Sequence, residues 1–207
     1  DFSNGQAWYD MSIAVDPNHR DSVFVGGLDI FKSADGAATW TQIGHWYGGF
    51  GFPYVHADQH NIVFKPGSSS IAYFTNDGGV FRTANADVAA PAMVDKGLNY
   101  VTSQFYACAL HPTAFSSYCL GGTQDNGSHQ FTQPVLQNTV EATGGDGAFC
   151  HIDQDQPQFQ FTQYVFNDYF RSTDGGSSWT NVTSGGTGLF INPSDYDDVN
   201  NKIYASH

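Results

Sequence analysis

The stretch His56-Ala57-Asp58-Gln59-His60 places two histidines and one carboxylate within five residues, just ahead of an apolar run. On an extended segment, alternate side chains point the same way. His56, Asp58 and His60 would then offer three nitrogen or oxygen ligands suited to zinc or another divalent ion. Spacing of two is not specific to metals. Structural hydrogen bonding and direct contact with a ligand therefore remain open beside the metal hypothesis.

Other carboxylates stand in glycine-containing turn sequences, namely Asp77 in "TNDGG", Asp125 in "TQDNG" and Asp146 in "GGDGAF". Two carboxyl groups can hydrolyse a glycosidic bond when they stand ~5–5.5 Å apart (retaining) or ~6.5–9.5 Å apart (inverting). Asp77, Asp125 and Asp146, with Asp58, are the carboxylates from which such a pair could be drawn. Asn-Asp-Gly is also a common hairpin turn, so a purely structural role for Asp77 stays open.

Aromatic residues are concentrated in two glycine-containing stretches, "NGQAWYD" and "GHWYGGFGFPYVH". Rings presented by a loop can stack on the apolar face of a sugar, or can instead fill a core or form a lid. The residues predicted to contact a ligand are Trp8, Tyr9, Asp10, Trp46, Tyr47, His56, Asp58, His60, Asp125 and Asn126.

An internal repeat positions these groups. Each unit reads as an apolar strand, a turn, a second apolar strand, a Gly/Asp turn and a short aromatic strand. Turn anchors at Pro17, Pro66, Pro112, Gln154 and Pro193 are separated by 49, 46, 42 and 39 residues. This period, with short strands only, predicts an all-β chain folded as a β-propeller. The predicted blades are approximately 9–50, 58–100, 104–142, 146–184 and an incomplete 187–207.

Two turns share the pattern Ser-x-Asp-Gly-x-x-Thr/Ser-Trp, "SADGAATW" at 33–40 and "STDGGSSW" at 172–179. The Asp can accept backbone N–H bonds, the Gly can adopt positive φ and the Trp can fill the space between sheets. The residues given this structural role are Ser33, Asp35, Gly36, Trp40, Ser172, Asp174, Gly175 and Trp179.

These two motifs resemble those of the Asp-box propellers (bacterial neuraminidase repeats), which include sialidases, xyloglucanase-type hydrolases and sortilin-like receptors. The phrases "HADQH", "TNDGGVFR" and "GGTQDNG" are most similar to large secreted Asp-box proteins of Bacteroidetes. The resemblance covers the whole chain and implies an extracellular or cell-surface location. It also implies a ring of six to eight blades, of which four and part of a fifth are visible. A closed four-bladed ring is the alternative.

The resemblance also implies where a site would lie, because hydrolases of this superfamily bind substrate on the face opposite the Asp-boxes. "TNDGGVFR" resembles the Asp-Ile-Gly-Gly-aromatic-Arg turn of the xyloglucanase-type enzymes, whose aspartate is one of two catalytic carboxylates, and the resemblance assigns this role to Asp77. Its implied partner is Asp146, with Asp58 or Asp125 as the next choice. Sialidases bind a carboxylate with three arginines. Arg82 and Arg171 instead occupy equivalent third-strand positions, as blade packing requires, which disfavours a sialidase.

Composition limits the partners. Seven Lys and Arg stand against 20 Asp and Glu, a formal net charge of −13. Such a chain is a poor partner for nucleic acid or an anionic membrane surface, and no apolar run is long enough to span a bilayer. The first residues show no signal peptide, which suits a mature or trimmed product. Cys108, Cys119 and Cys150 are expected to be buried apolar residues with at most one disulfide.

Two classes of function follow. The first is a secreted or surface-displayed propeller that acts in glycan binding, in adhesion or as a scaffold. Its partners would be a polysaccharide, a glycoprotein glycan or other domains of the same protein. The second is a xyloglucanase-like glycoside hydrolase. No cofactor is expected beyond the metal hypothesis for the histidine-rich stretch.

Overall fold

The computed structural model describes residues 1–98, 100, 103–134, 139–183 and 187–206. Within these ranges the chain consists of short β-strands and turns and contains no helix, so no described helix is long and apolar enough to cross a membrane. The predicted all-β class is confirmed. Backbone contacts divide the chain into two compact units, Asp1–Val101 and Thr102–His207, and each is described by itself.

The first unit contains two four-stranded antiparallel sheets with strand orders β1-β2-β3-β4 and β5-β6-β7-β8. The strands are β1 (Ser12–Val15), β2 (Val23–Gly26), β3 (Ile30–Ser33), β4 (Thr41–Gly44), β5 (Gln59–Phe64), β6 (Ala72–Asn76), β7 (Gly79–Thr83) and β8 (Val94–Asp95). Each sheet follows chain order and each inner strand begins a new sheet, which is the organisation of propeller blades.

The core of the first unit lies between these two sheets. Phe24 and Ile30 of the first sheet pack in one cluster with Ile62, Phe74 and Phe81 of the second. Ile62, Phe74 and Phe81 are opposite one another on adjacent strands, so they share one face of their sheet. Burial of each large apolar side chain contributes about 1.5–3 kcal/mol. This packing fixes the relative positions of the strand ends that carry the polar groups.

The second unit contains two more four-stranded antiparallel sheets and a two-stranded one. Its strands are β9 (Phe105–Leu110), β10 (Cys119–Thr123), β11 (Ser128–Phe131), β12 (Thr139–Thr143), β13 (Cys150–Ile152), β14 (Gln160–Tyr164), β15 (Asp168–Ser172), β16 (Thr180–Asn181), β17 (Ser194–Asp197) and β18 (Lys202–Ala205). The sheets again follow chain order, and Tyr196 of β17 packs its ring against Phe161 of β14, with centroids 5.2 Å apart.

A smaller core in this unit joins Leu120 of β10 to Cys150 and Ile152 of β13, with Trp179 packed against them. Burial raises the pKa of the Cys150 thiol to about 12, as expected for an inert apolar cysteine. The expectation of burial is wrong for Cys108, which is exposed, and only partly met by Cys119, which is half-buried. All three cysteines are free thiols.

The two Ser-x-Asp-Gly turns have the same hydrogen bonds. In the first, the Thr39 backbone N–H and hydroxyl both donate to Asp35, at 2.9 and 2.6 Å, and the Ser33 hydroxyl donates to it at 2.8 Å. In the second, Ser178 and Ser172 make the equivalent bonds to Asp174 at the same distances. Gly36 and Gly175 adopt φ of 70° and 73°. The predicted turn chemistry is therefore confirmed.

The tryptophans of the two turns differ in their surroundings. Trp179 fills the space between two sheets, as predicted. Trp40 instead meets the ring of Phe2 edge-on, with centroids 5.1 Å apart. Phe2 belongs to the segment before β1, so the first turn holds this segment rather than a neighbouring sheet.

Candidate functional site

The polar groups of the first unit converge at one end of its sheets. The segment before β1, the start of β5 and the β6–β7 turn all lie at this end, because successive strands run antiparallel. Side chains from these three places contact one another, since Tyr9 and His60 both bond to Asp77 and Gln6 bonds to Asp58. We call this group of Gln6, Tyr9, Asp10, Asp58, His60 and Asp77 the carboxylate cluster.

Asp77 is bound by two side chains from other segments. The Tyr9 hydroxyl donates to its Oδ2 at 2.8 Å, and the His60 Nε2 contacts its Oδ1. Tyr9 and His60 also touch each other, edge to face, with ring centroids 5.1 Å apart. Both oxygens of Asp77 therefore contact side chains from other segments of the first unit, which fixes the orientation of its carboxyl group.

Asp58 lies among other carboxylates of the first unit. Its carboxylate lies within 4.8 Å of that of Asp77, and Gln6 links it to Asp10, to which the Gln6 amide donates at 3.1 Å. Asp10 is fully buried, with 0% of its surface exposed. Burial, together with the negative charges of Asp77 and Asp10, raises the pKa of Asp58 to about 6. Asp58 therefore keeps a proton under mildly acidic conditions.

The extended conformation expected for the histidine-rich stretch is wrong at its centre. Asp58 has φ of 64° in the left-handed region, and β5 begins only at Gln59. Alternation is thereby broken, and within the described part of the first unit no three His, Cys, Asp or Glu side chains bring one ligand atom each within 4.8 Å of one another. His56, Asp58 and His60 are therefore not assembled as a metal site.

His56 instead packs on the β6–β7 turn. A Cβ at Gly78 would come within 2.3 Å of the His56 ring carbons, so only glycine permits this approach. His60 turns toward Asp77, as described above. The two histidines thus serve different partners, and each positions the Asp77 turn from a different side.

A buried glutamine that the sequence reasoning missed organises the start of β5. Gln59 is fully buried, its backbone N–H donates to the carbonyl of Gly27 at 2.9 Å, and its side-chain amide bonds to the carbonyl of His56. Asn76 donates to the Gln59 side chain at 3.3 Å. Gln59 therefore ties the β2–β3 turn, the His56 backbone and the end of β6 together, and no spacing in the sequence marks this role.

Trp8 and Tyr9 form an aromatic surface beside the carboxylate cluster. The Trp8 side chain is 84% exposed, and its ring lies 5.7 Å from that of Tyr9. The prediction that Asp10 contacts a ligand directly is wrong, because Asp10 is fully buried.

A second aromatic surface follows β4, where the chain makes a closed loop. His45 and Val55 close its base through bonds from the His45 N–H to Pro53 and from the Val55 N–H to His45, at 3.0 and 3.1 Å. Asp29 of the β2–β3 turn accepts from the His45 ring and the Trp46 N–H, both at 2.9 Å. This clasp was also missed from the sequence, because it joins residues 16 and 17 positions apart.

In the second unit, Asp146 is bound into a turn. The Asp125 backbone N–H donates to Asp146 at 3.0 Å and the Gln124 side chain donates at 3.2 Å. Asn126 bonds to the carbonyl of Gln124 at 2.9 Å, and Asp125 has φ of 58°. Asp146 and Asp125 therefore occupy the β10–β11 turn region, where Asp146 is fixed by turn donors.

The predicted pair of Asp77 and Asp146 takes one residue from each unit and stays a prediction. Asp58, the alternative partner, lies beside Asp77 within the first unit. Their surroundings differ, because Tyr9 and His60 hold Asp77, whereas burial and the neighbouring negative charges raise the pKa of Asp58 to about 6. The carboxylate cluster can therefore bind polar hydroxyl groups and donate a proton.

Comparisons with known proteins support the fold. No protein-family profile matches the chain, and no curated protein sequence matches it. The GH74 xyloglucanase from Xanthomonas campestris aligns with 86% of this chain and with 29% of its own length, at 17% identity and a TM-score of 0.53. This likeness, together with the blade-like sheets, identifies the chain as part of a β-propeller. The chain spans less than a third of that xyloglucanase.

Weaker likenesses exist to the Niastella koreensis GH74 enzyme, with 17% identity over 96% of this chain and 38% of that one, and a TM-score of 0.35. YCF48 from Cyanidioschyzon merolae aligns at 9% identity over 91% and 90% of the two chains, also with a TM-score of 0.35. Scores this low add nothing to the fold assignment.

Proposed function

We propose that this chain is a glycan-binding β-propeller module whose site is the carboxylate cluster of the first unit and the Trp8–Tyr9 surface beside it. The observation that carries the proposal is the 84% exposed Trp8 ring next to Tyr9, whose hydroxyl bonds to Asp77. A pyranose has an apolar face and a polar edge. An exposed ring flanked by carboxylates offers a partner to each.

A second candidate, glycoside hydrolysis, is favoured by the unequal carboxylates. Asp58, with a pKa of about 6, would donate the proton to the leaving oxygen. Asp77, with donors on both oxygens, would act as nucleophile or base. A separation within 4.8 Å is closer to the ~5–5.5 Å of retaining pairs than to the ~6.5–9.5 Å of inverting ones. The similar Xanthomonas protein is a xyloglucanase, and we propose the same class of substrate for this chain.

The broader setting is part of the same proposal. The paired Ser-x-Asp-Gly turns support membership of the Asp-box propellers, whose secreted members make an extracellular or cell-surface location the natural one. The partner is then a polysaccharide or a glycoprotein glycan. Adhesion and scaffolding within a larger secreted protein are roles that glycan binding would serve.

The test is electrophoresis of the 207-residue chain through gels containing hydroxyethyl cellulose, xyloglucan or galactomannan. We expect retardation in at least one gel, and a loss of about tenfold in apparent affinity for Trp8→Ala, since one stacked ring contributes ~1–1.5 kcal/mol. Phe115→Ala, which removes a fully exposed ring elsewhere, is the matched control and should bind as the wild type does.

The same samples separate binding from hydrolysis. Release of reducing ends that is abolished by Asp58→Asn would establish the second candidate. Binding without any reducing-end release would leave a binding module. Absence of retardation in every gel would overturn the glycan proposal.

A further inference from the structure

The loop between β4 and β5 carries four exposed aromatic side chains on a fixed base. Tyr47 is 55% exposed and Phe50 is 64% exposed, and Phe52 and Tyr54 also face solvent. Large apolar side chains grouped at the surface signal a binding surface more strongly than scattered ones. Tyr54 packs edge-on against the core residue Phe81, with ring centroids 5.9 Å apart. Tyr47, Phe50 and Phe52 belong neither to the core cluster nor to the carboxylate cluster.

The base of the loop is held before any ligand arrives. Asp29 binds the His45 ring and the Trp46 N–H, and the His45 ring packs edge-on against Phe50 with centroids 4.9 Å apart. The loop is therefore anchored by one carboxylate at the point where it leaves β4. A surface organised in advance loses less conformational entropy on binding than a mobile one.

The loop and the carboxylate cluster are joined through the β2–β3 turn. Gly27 in this turn accepts the N–H of Gln59 at 2.9 Å, and Gln59 directly follows Asp58. Two residues further along the same turn, Asp29 holds the loop. The β2–β3 turn therefore bonds both to the segment that carries Asp58 and to the base of the loop.

We propose that the loop 46–54 binds further sugar residues of the same glycan chain, which makes the ligand a neutral polysaccharide rather than a single sugar. This inference rests on the proposed function and extends its site. Several rings spread along a loop fit successive pyranoses of a polymer, each of which offers an apolar face. A lone sugar would engage only the surface beside the cluster.

Charge decides between neutral and acidic polysaccharides. The sequence from Trp46 to Tyr54 contains no Lys, Arg, Asp or Glu, and the chain as a whole has a net charge of −13. The adjoining cluster adds Asp10, Asp58 and Asp77. Uronic or carboxymethylated glycans would be repelled by this surface and would find no cation to bind within the loop.

The experiment compares two polymers with the same glucan backbone, neutral hydroxyethyl cellulose and anionic carboxymethyl cellulose, by affinity electrophoresis. The wild type should bind the neutral polymer at least tenfold more tightly than the anionic one. The double variant Tyr47→Ala/Phe50→Ala should lose about 10- to 100-fold in affinity for the neutral polymer. Leu98→Ala/Phe115→Ala, which truncates two highly exposed apolar side chains outside the loop, should leave it unchanged.

The outcomes separate the two proposals. If Trp8→Ala weakens binding while the loop double variant does not, the loop inference is overturned and the proposed function stands. Equal affinity for both polymers would overturn the assignment to neutral glycans. If the wild type binds neither polymer nor xyloglucan nor galactomannan, both proposals are overturned. Cellobiose supplies a further check, because the loop variant should alter its affinity by less than about twofold.

Discussion

Asp35 and Asp58 lie at opposite ends of the strands of the first unit, and the pKa values of their carboxyl groups move in opposite directions. The Thr39 hydroxyl and N–H and the Ser33 hydroxyl lower the pKa of Asp35 to about 2. Burial and the charges of Asp77 and Asp10 raise the pKa of Asp58 to about 6. The pKa of an aspartate in this unit is thus set by the groups around it.

The neighbours differ in their origin along the chain. The hydrogen-bond donors to Asp35 are Ser33, two positions before it, and Thr39, four positions after it. Asp58 meets Gln6, 52 residues away, and through it Asp10. A carboxylate satisfied within its own turn stabilises that turn. One pressed against other acids by distant segments stores electrostatic repulsion, as functional sites commonly do.

The largest expected effect on stability comes from substitution of Asp35, the carboxylate of the first Ser-x-Asp-Gly turn. Asp35→Ala removes three hydrogen bonds that hold the β3–β4 connection, and we expect its melting temperature at pH 7 to fall on the order of 5 °C. Because the folded pKa of about 2 lies below the unfolded 3.8, ionised Asp35 stabilises the fold above about pH 4. Urea denaturation should show the gap to wild type narrowing from pH 4 toward pH 2. A constant gap would contradict the charge argument.

The next effect has the opposite sign and sharpens the comparison. The folded pKa of Asp58, about 6, lies above the unfolded 3.8, so the stability that its proton supplies is fully present below pH 4 and is lost as pH rises through 6. Asp58→Asn mimics the protonated acid. At pH 7.5 we expect its free energy of unfolding to exceed that of the wild type by about 1 kcal/mol, after allowance for solvent screening. At pH 3.5 we expect the two free energies of unfolding to be equal.

Urea midpoints at the two pH values measure this difference. Asp174→Asn is the matched control, since the pKa of Asp174 is also about 2 and its amide variant should never exceed wild type in stability. An Asp58→Asn protein that is less stable than wild type at pH 7.5 would show that the carboxylate cluster is not under electrostatic strain.

The smallest effect concerns the hydroxyl that joins the aromatic surface to the cluster. Tyr9→Phe removes the 2.8 Å bond to Asp77 but keeps the ring. Because Tyr9 is exposed, we expect a stability change of no more than about 0.5 kcal/mol, while retardation in the neutral-polysaccharide gel falls about threefold. A stability loss as large as that of Asp35→Ala would make Tyr9 a structural residue like those of the turns.

The contrast between local and distant neighbours also explains what could be predicted. The hydrogen bonds of the two Ser-x-Asp-Gly turns were predictable because each turn aspartate bonds to residues no more than four positions away. The packing of Trp40 on Phe2 was not predictable in this way. The succession of short strands was predictable from turn residues that recur along the chain. The cluster at Asp58 and Asp77 was predictable only as a convergence of strand ends, because Gln6 and Gln59 act across the fold.

The main error at the site has a local cause. Period-two alternation from His56 to His60 assumes an extended backbone, but Asp58 adopts φ of 64°. Aspartate tolerates this conformation better than most residues, and the tolerance leaves no mark in a hydrophobic pattern. The result is that His60 faces Asp77, while His56 covers Gly78.

The clasp at the base of the aromatic loop has a consequence for how binding preference can diversify. The ends of the loop are held by His45, Val55 and Asp29. The positions of the strands on either side therefore do not depend on how long the loop is. Doubling a flexible loop adds only about 0.6 kcal/mol of closure entropy. Insertions and replacements near its tip are therefore nearly neutral for folding, so the loop can change in sequence and length while the strands on either side keep their structure.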